Sequence, residues 1–144
     1  MADASNWLLD HTGIGVTDIV RSARFYKAAL RPLGAEVVMR INSTMGPADD
    51  GDADLAGVAF GTEYPAFWLD IFHPTDVKQH TAFRATSRKA VEDFYRHGLA
   101  AGGVDNGAPG LRSDGYPAGY YAASMYDPDG NNIEAVYRDS GEST

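Results

Sequence analysis

The 144-residue sequence contains no cysteine. Disulfide staples, thiolate nucleophiles and zinc-finger ligation are excluded, and any metal must be held by nitrogen and oxygen. Long apolar runs are missing too. The longest stretches, such as AFWLDIF at 66–72, suit a strand and fall far short of the roughly 20 residues that span a bilayer. Positive charge is scarce: 12 Lys and Arg stand against 20 Asp and Glu, a net charge of −8. The acids are spread along the chain, and so negative a surface repels phosphate backbones and anionic lipid, so neither nucleic acid nor membrane is an expected partner. The opening MADASNWLLD lacks the basic and apolar regions of a secretory signal, which makes the cytoplasm the expected location. With 44% apolar and 22% charged residues the chain reads as globular rather than disordered. Its length suits one domain, 1–144, that buries roughly 68–70% of the unfolded surface.

An internal repeat organises what remains. A shift of 69 residues lays 11–34 on 80–103 without a gap and matches seven of 24 positions. The matches are His11/His80, Thr12/Thr81, Thr17/Thr86, Phe25/Phe94, Tyr26/Tyr95, Leu30/Leu99 and Gly34/Gly103. They fall at structurally equivalent points: a strand start, a helix cap, a helix face and a helix end. Each copy predicts a strand (His11–Val16; His80–Ala85), then Thr17-Asp18 or Thr86-Ser87 as N-cap residues, then a helix. Ile19, Ala23, Tyr26, Leu30 and Leu33 form the expected buried stripe of the first helix; Val91, Phe94, Tyr95 and Leu99 form that of the second. Gly34, Gly102 and Gly103 close the helices. Further strands are expected at Glu36–Ile41, Leu55–Gly61, Phe67–Phe72, near Val104, and at Tyr120–Tyr126 and Asn132–Tyr137. Asn42–Asp54 reads as a mobile polar surface loop, and Asp127-Pro128-Asp129-Gly130-Asn131 as a tight turn. The fold class is α+β: two βαβββ modules, about 9–73 and 78–138, expected to pair into one curved, mixed, cup-shaped sheet with helices outside.

The repeat also pairs the chemistry. His11 and His80 open the first strand of each module, and Asp70 and Glu134 are the lone charges in the last strands. If first and last strands are neighbours, each His lies beside a carboxylate, and a pseudo-twofold axis brings both pairs to one cleft. Two imidazoles and two carboxylates suit a divalent Zn, Ni, Co, Mn or Fe ion. A histidine at a strand start is otherwise a surface or hydrogen-bonded residue, and Asp70, one methylene shorter than glutamate, ligates, ligates through water, or faces solvent. The aromatic pairs Phe25/Tyr26 and Phe94/Tyr95 read as core, His97 as solvated and His73 as a turn residue. The loop at 110–121 has no counterpart in the first module and gathers Arg112, Tyr116, Tyr120 and Tyr121. Arg112 is a candidate for holding an anionic group and the tyrosines for walling a pocket; an ordinary surface loop is the alternative.

Three motifs carry a resemblance: H-x-G-I-x-V-x-D from His11 with R-S-x-x-F-Y at Arg21–Tyr26, H-T-A-F at His80–Phe83, and D-P-D-G-N-N-I-E at Asp127–Glu134. With them the chain resembles the vicinal oxygen chelate superfamily, the group of glyoxalase I, fosfomycin-resistance proteins, bleomycin-resistance proteins and extradiol dioxygenases. The resemblance implies paired βαβββ modules around a divalent ion, with His11, His80 and Glu134 as ligands. Asp70 stands where glyoxalase I-like members keep a glutamate, a departure that favours a His-His-carboxylate site with open positions. The implied activity is that of a metal-dependent lyase, isomerase or transferase acting on an oxygenated small molecule, with Glu134 or Asp70 as a general base. A metal-free binding protein of the bleomycin-resistance type is the alternative, although such members lack the ligands kept here. An extradiol-type dioxygenase is a third reading, against which the short chain counts. The resemblance also implies a homodimer.

Overall fold

In the computed structural model, residues 8–139 are described. The first module runs β1 (Thr12–Gly15), α1 (Ile19–Leu30), a single 3-10 turn (Arg31–Leu33), β2 (Glu36–Asn42), β3 (Leu55–Gly61) and β4 (Phe67–Asp70). The second runs β5 (His80–Arg84), α2 (Arg88–Ala100), two short strands β6 (Val104–Asp105) and β7 (Gly110–Leu111), then β8 (Tyr120–Tyr126) and β9 (Asn132–Arg138). Sheet order is β1-β4-β3-β2 in one module and β5-β9-β8-β6 in the other, with β7 also on β8. In both, the first and last strands pair in parallel and the rest are antiparallel. The repeat therefore extends from sequence to topology.

Local chemistry explains the helix starts and stops. Asp18 accepts a hydrogen bond from the Arg21 N–H and Ser87 from the Ala90 N–H, each satisfying one of the donors a helix leaves unpaired at its first turn. Gly34, with φ at 87°, ends the first helical segment in the left-handed conformation that glycine adopts without a Cβ penalty. The buried face of α1 is Ser22, Phe25, Tyr26, Ala29 and Leu30, and that of α2 is Ala90, Val91, Phe94 and Gly98. The loop at 42–54 is tied down. Asn42 Oδ1 accepts from the Thr44 and Gly46 N–H groups, and Asp54 accepts from Ser43.

One expectation changes. The modules do not merge their strands into one sheet with helices outside; they keep two open sheets, and α1 packs against α2 between them. Ile14, Val58, Phe60, Phe67 and Leu69 from the first sheet and Tyr121, Ala123, Met125, Ile133 and Ala135 from the second join Phe25, Tyr26, Leu30, Val91 and Phe94 in a single core. Both sheets thus spend their helix-side faces on that core, and their opposite faces turn outward.

The join between modules is polar as well as apolar. The 127–131 turn reaches across to α1: the buried Tyr26 hydroxyl donates to Asp127 Oδ2 at 2.5 Å, and Asp129 accepts from the hydroxyls of Thr17 and Ser22. Asp127 also accepts from the N–H groups of Asp129 and Asn131 and from the Asn131 amide, so its carboxylate is saturated. Burial first, and then the Asp127 charge and hydrogen bond, hold the Tyr26 phenol well above its ordinary pKa.

Removing the Tyr26 hydroxyl leaves a buried carboxylate short of one donor, so Tyr26→Phe is expected to cost about 1–3 kcal/mol in denaturant unfolding. An unfolded tyrosine releases its proton near pH 10 while the folded one retains it. Native stability should therefore fall as pH rises above about 10, and the slope should be shallower in Tyr26→Phe.

Candidate functional site

Side chains alternate along a strand, which fixes what the outer face of the second sheet presents. His80, Ala82 and Arg84 on β5 lie there beside Glu134, Val136 and Arg138 on β9 and Tyr120, Ala122 and Ser124 on β8. His80 is opposite Asn132, and Glu134 sits two residues further along β9. That diagonal brings His80 Nε2 to 3.5 Å from Glu134 Oε1. The other ring nitrogen, Nδ1, lies 3.0 Å from the Asn132 carbonyl, which only accepts, so Nδ1 is the donor there and Nε2 is the nitrogen that carries the lone pair in the neutral imidazole. Glu134 is 8% exposed. Its second oxygen, Oε2, accepts a 2.7 Å hydrogen bond from the Tyr120 hydroxyl. Desolvation, then the hydrogen bond and charge of Glu134, push the Tyr120 pKa up to about 12, so the phenol stays protonated at neutral pH. The Tyr120 ring in turn lies under Arg138, 4.5 Å from the guanidinium, and 4.8 Å from the Tyr116 ring.

The outer face of the first sheet has a different lining. A cavity of about 660 Å³ is bordered by His11, Ile41, Met45, Trp68, Asp70 and His73, among others. His11 holds its Nδ1 against Asp10 Oδ1 at 2.7 Å, and the Tyr64 hydroxyl donates to the Asp10 carbonyl at 2.6 Å. The exposed ring of His11 thus has Nδ1 engaged, as in His80.

Strand register separates Asp70 from the role of Glu134. Thr12 pairs with Phe67 and Gly13 with Trp68, so the residue two steps past the partner of His11 is Trp68. Asp70 lies a further two-residue step along, opposite Gly15, and matches Val136 in the second module. The expected His–carboxylate pair therefore forms at His80 and Glu134 but not at His11 and Asp70. The Asp70 carboxylate, 6% exposed, is occupied otherwise: it accepts from the N–H groups of Phe72 and His73 and from His73 Nδ1 at 2.8–2.9 Å. His73, read from sequence as a turn residue, is Asp70's partner at the cavity wall. Gly15 is required here, because a Cβ would collide with the His73 carbonyl oxygen where β1 runs under this turn.

The recognition loop also divides. Tyr116 and Tyr120 reach the outer face, but Tyr121 points to the helix side, where its hydroxyl donates to Glu92 at 2.6 Å and Arg88 covers its ring. Arg112 turns onto its own loop and donates to the carbonyls of Gly107, Ala108 and Gly110. Sequence reasoning passed over Arg84 and Arg138. Each lies four residues beyond a candidate ligand, an even step that returns a strand side chain to the same face.

Among the described residues, no three His, Cys, Asp or Glu side chains of one chain converge to hold a metal ion. His11 immediately precedes β1 at the outer face of one sheet, and His80 with Glu134 lies on the outer face of the other. No helix among the described residues is long and apolar enough to cross a membrane.

Comparison with known proteins agrees with this architecture. A crystal structure of a glyoxalase/bleomycin resistance protein from Albidiferax ferrireducens T118 is 27% identical, covers 91% of this chain and 98% of its own, and superposes with a TM-score of 0.65. Lactoylglutathione lyase from Agrobacterium tumefaciens, at 17% identity, covers 91% and 93% with a TM-score of 0.59. A glyoxalase/bleomycin resistance protein/dioxygenase family enzyme from Burkholderia phytofirmans PsJN, at 16% identity, covers 90% and 97% with a TM-score of 0.61. At these lower identities the likeness is one of fold. No curated protein sequence matches the chain. The family model matches residues 8–135, which span both modules and every candidate ligand, and the chain belongs to the Glyoxalase/Bleomycin resistance protein/Dioxygenase superfamily.

Proposed function

We propose that this protein is a metal-dependent glyoxalase-like enzyme, a lyase, isomerase or transferase of an oxygenated small molecule. Its ion is held by His80 and Glu134 of one chain together with His11 of a second copy. The observation that carries the reading is the His80–Glu134 arrangement. Two atoms bound to one ion at about 2.1 Å with a tetrahedral angle lie about 3.4 Å apart, and Nε2 and Oε1 are 3.5 Å apart. Both histidines have Nδ1 engaged by an acceptor, the outer-shell device that orients a ligating imidazole. A borderline divalent ion (Zn, Ni, Co, Mn or Fe) matches the nitrogen and oxygen donors.

Two copies are required because one chain commits the helix-side faces of both sheets to its core. The uncovered first face carries Met39, Met45 and Phe72 with 47%, 68% and 47% exposure, an apolar surface suited to burial against the second face of a partner. Trp68 stands in register where a fourth protein ligand matching Glu134 would stand, so the set is two histidines and one carboxylate, with positions left for substrate. Asp70 stays outside the set, since its lone pairs already serve His73 and two backbone amides.

When bound, the ion polarises a substrate oxygen and stabilises negative charge on it. The protein's own residues do the rest. Tyr120 holds Oε2 of Glu134 and leaves Oε1 facing His80. Its phenol, protonated at neutral pH, is the proton donor nearest the carboxylate. Among the described residues of β5, β8 and β9, Glu134 is the only carboxylate on this outer face, so proton transfer to or from substrate falls to Glu134 with Tyr120 behind it.

Mixing inactive variants tests the shared site. His11→Ala and His80→Ala homodimers should each lose stoichiometric metal. Mixed one to one and allowed to exchange, they should regain about a quarter of the wild-type metal, because half the dimers are hybrids with one intact site. No recovery despite subunit exchange refutes ligation across two chains. Absence of metal after titration of the wild type with each ion would leave a binding protein instead.

Tyr120→Phe removes an outer-shell partner and should weaken metal binding by about 10–100-fold without unfolding the chain. Competition with a chromogenic chelator measures this directly.

A further inference from the structure

Two guanidinium groups share the outer face that carries His80 and Glu134. Arg84 lies four residues past His80 on β5, and Arg138 four past Glu134 on β9. Arg84 is opposite Val136, with Arg138 two residues beyond. The two arginines thus stand in the same diagonal relation as His80 and Glu134, displaced along the strands. Both line a cavity of about 190 Å³ with Ala82, Phe83, Tyr120 and Val136.

Neither arginine has a carboxylate partner among the described residues. Arg84 makes no side-chain hydrogen bond or ion pair, and the Arg138 guanidinium rests on the Tyr120 ring. In a chain with 20 acidic and 12 basic side chains, two unpaired cations at one cavity make a positive spot on a negative molecule. Such a spot concentrates anions where the walls exclude water. Guanidinium forks match the paired oxygens of a carboxylate or phosphonate.

We propose that Arg84 and Arg138 form an anion subsite that binds the carboxylate or phosphonate group of the substrate. The placement of the substrate's oxygenated end at His80 and Glu134 rests on the metal-centre reading above; the anion subsite itself does not. Tyr120 joins the two ends, its hydroxyl on Glu134 and its ring beneath Arg138, and Tyr116 extends the aromatic wall. Four residues of strand separate the two rows, roughly 13 Å of backbone. The substrate class is therefore an anionic, oxygenated molecule with an apolar body of more than two or three carbons. Arg112, which hydrogen-bonds its own loop, has no part in holding it.

The test uses phenylphosphonate, benzoate and the neutral ester dimethyl phenylphosphonate. Each is titrated into full-length protein stripped with chelator and followed by the NMR signals of the arginine Nε–H groups. The anions should bind at least tenfold more tightly than the ester and should shift Arg84 and Arg138. The Arg84→Gln/Arg138→Gln double variant should lose that preference, while Arg84→Lys, which keeps the charge, should retain part of it. The proposal is overturned if the ester binds as tightly as the anions, or if the double variant, folded by circular dichroism, binds them as the wild type does. Comparing phenylphosphonate with benzoate identifies the preferred oxyanion. Metal titration of the same samples separates the two readings. Ion binding without anion preference removes the subsite, whereas anion preference without ion binding removes the metal centre and leaves the subsite standing.

Discussion

The clasp between the 127–131 turn and α1 is the constraint on which the rest of the arrangement depends. Asp127 and Asp129 belong to the second module, and their partners Tyr26, Thr17 and Ser22 belong to the first. An aspartate buried at the junction is tolerable only with its oxygens satisfied, and the turn supplies backbone and side-chain donors of its own before Tyr26 adds one from across the interface. The same turn leads into β9, which begins one residue after it and carries Glu134 two residues later. The motif that looked like turn chemistry thus sets both the docking of the modules and the starting point of the strand that presents the carboxylate.

Docking through the helices has a consequence for function. A βαβββ unit has one face for its helix and one for something else, and in this chain both helices and both helix-side faces are consumed by one core. The outward faces carry both polar and apolar groups: histidines, a tryptophan and a methionine on one, and His80, Glu134, Tyr120 and two arginines on the other. Duplication has preserved the frame while the two faces diverged. The first is Gly-lined and closely covered, with the His73–Pro74 backbone lying over Gly15, Ile41 over Gly57 and Trp68 beside Gly13. The second is polar and organised around one carboxylate. Such asymmetry in a repeated fold suits a site assembled from two unlike halves.

Much of this was legible in the residues. Strand and helix assignments followed from periodicity and caps, and most expected strands appear with ends shifted by a few residues. His11, His80 and Glu134 stood out because strand starts and lone charges in apolar strands are local features. Asp70 and Glu134 differ in position for a definite reason. A lone charge in FWLD looks equivalent to one in NIEA, but equivalence depends on pairing to β1, and a two-residue difference in register exchanges Asp70 for Trp68. Tyr120 and Tyr121 face opposite ways because alternation places strand neighbours on opposite faces, one hydroxyl on Glu134 and the other on Glu92. Arg112, a candidate for holding an anionic group, donates instead to its own loop carbonyls, a contact that spacing along the chain does not reveal.

By itself the sequence determined the βαβββ repeat, the caps, the core-facing stripes and the identity of the donor atoms, since each follows from local spacing and side-chain chemistry. Only the tertiary structure decided which donors meet. Register between β1 and β4, the face each tyrosine presents, the alignment of Arg84 and Arg138 with the candidate ligands, and the separation of His11 from His80 are relations between segments distant in the chain. They depend on how two sheets share one core, and no local pattern encodes that choice.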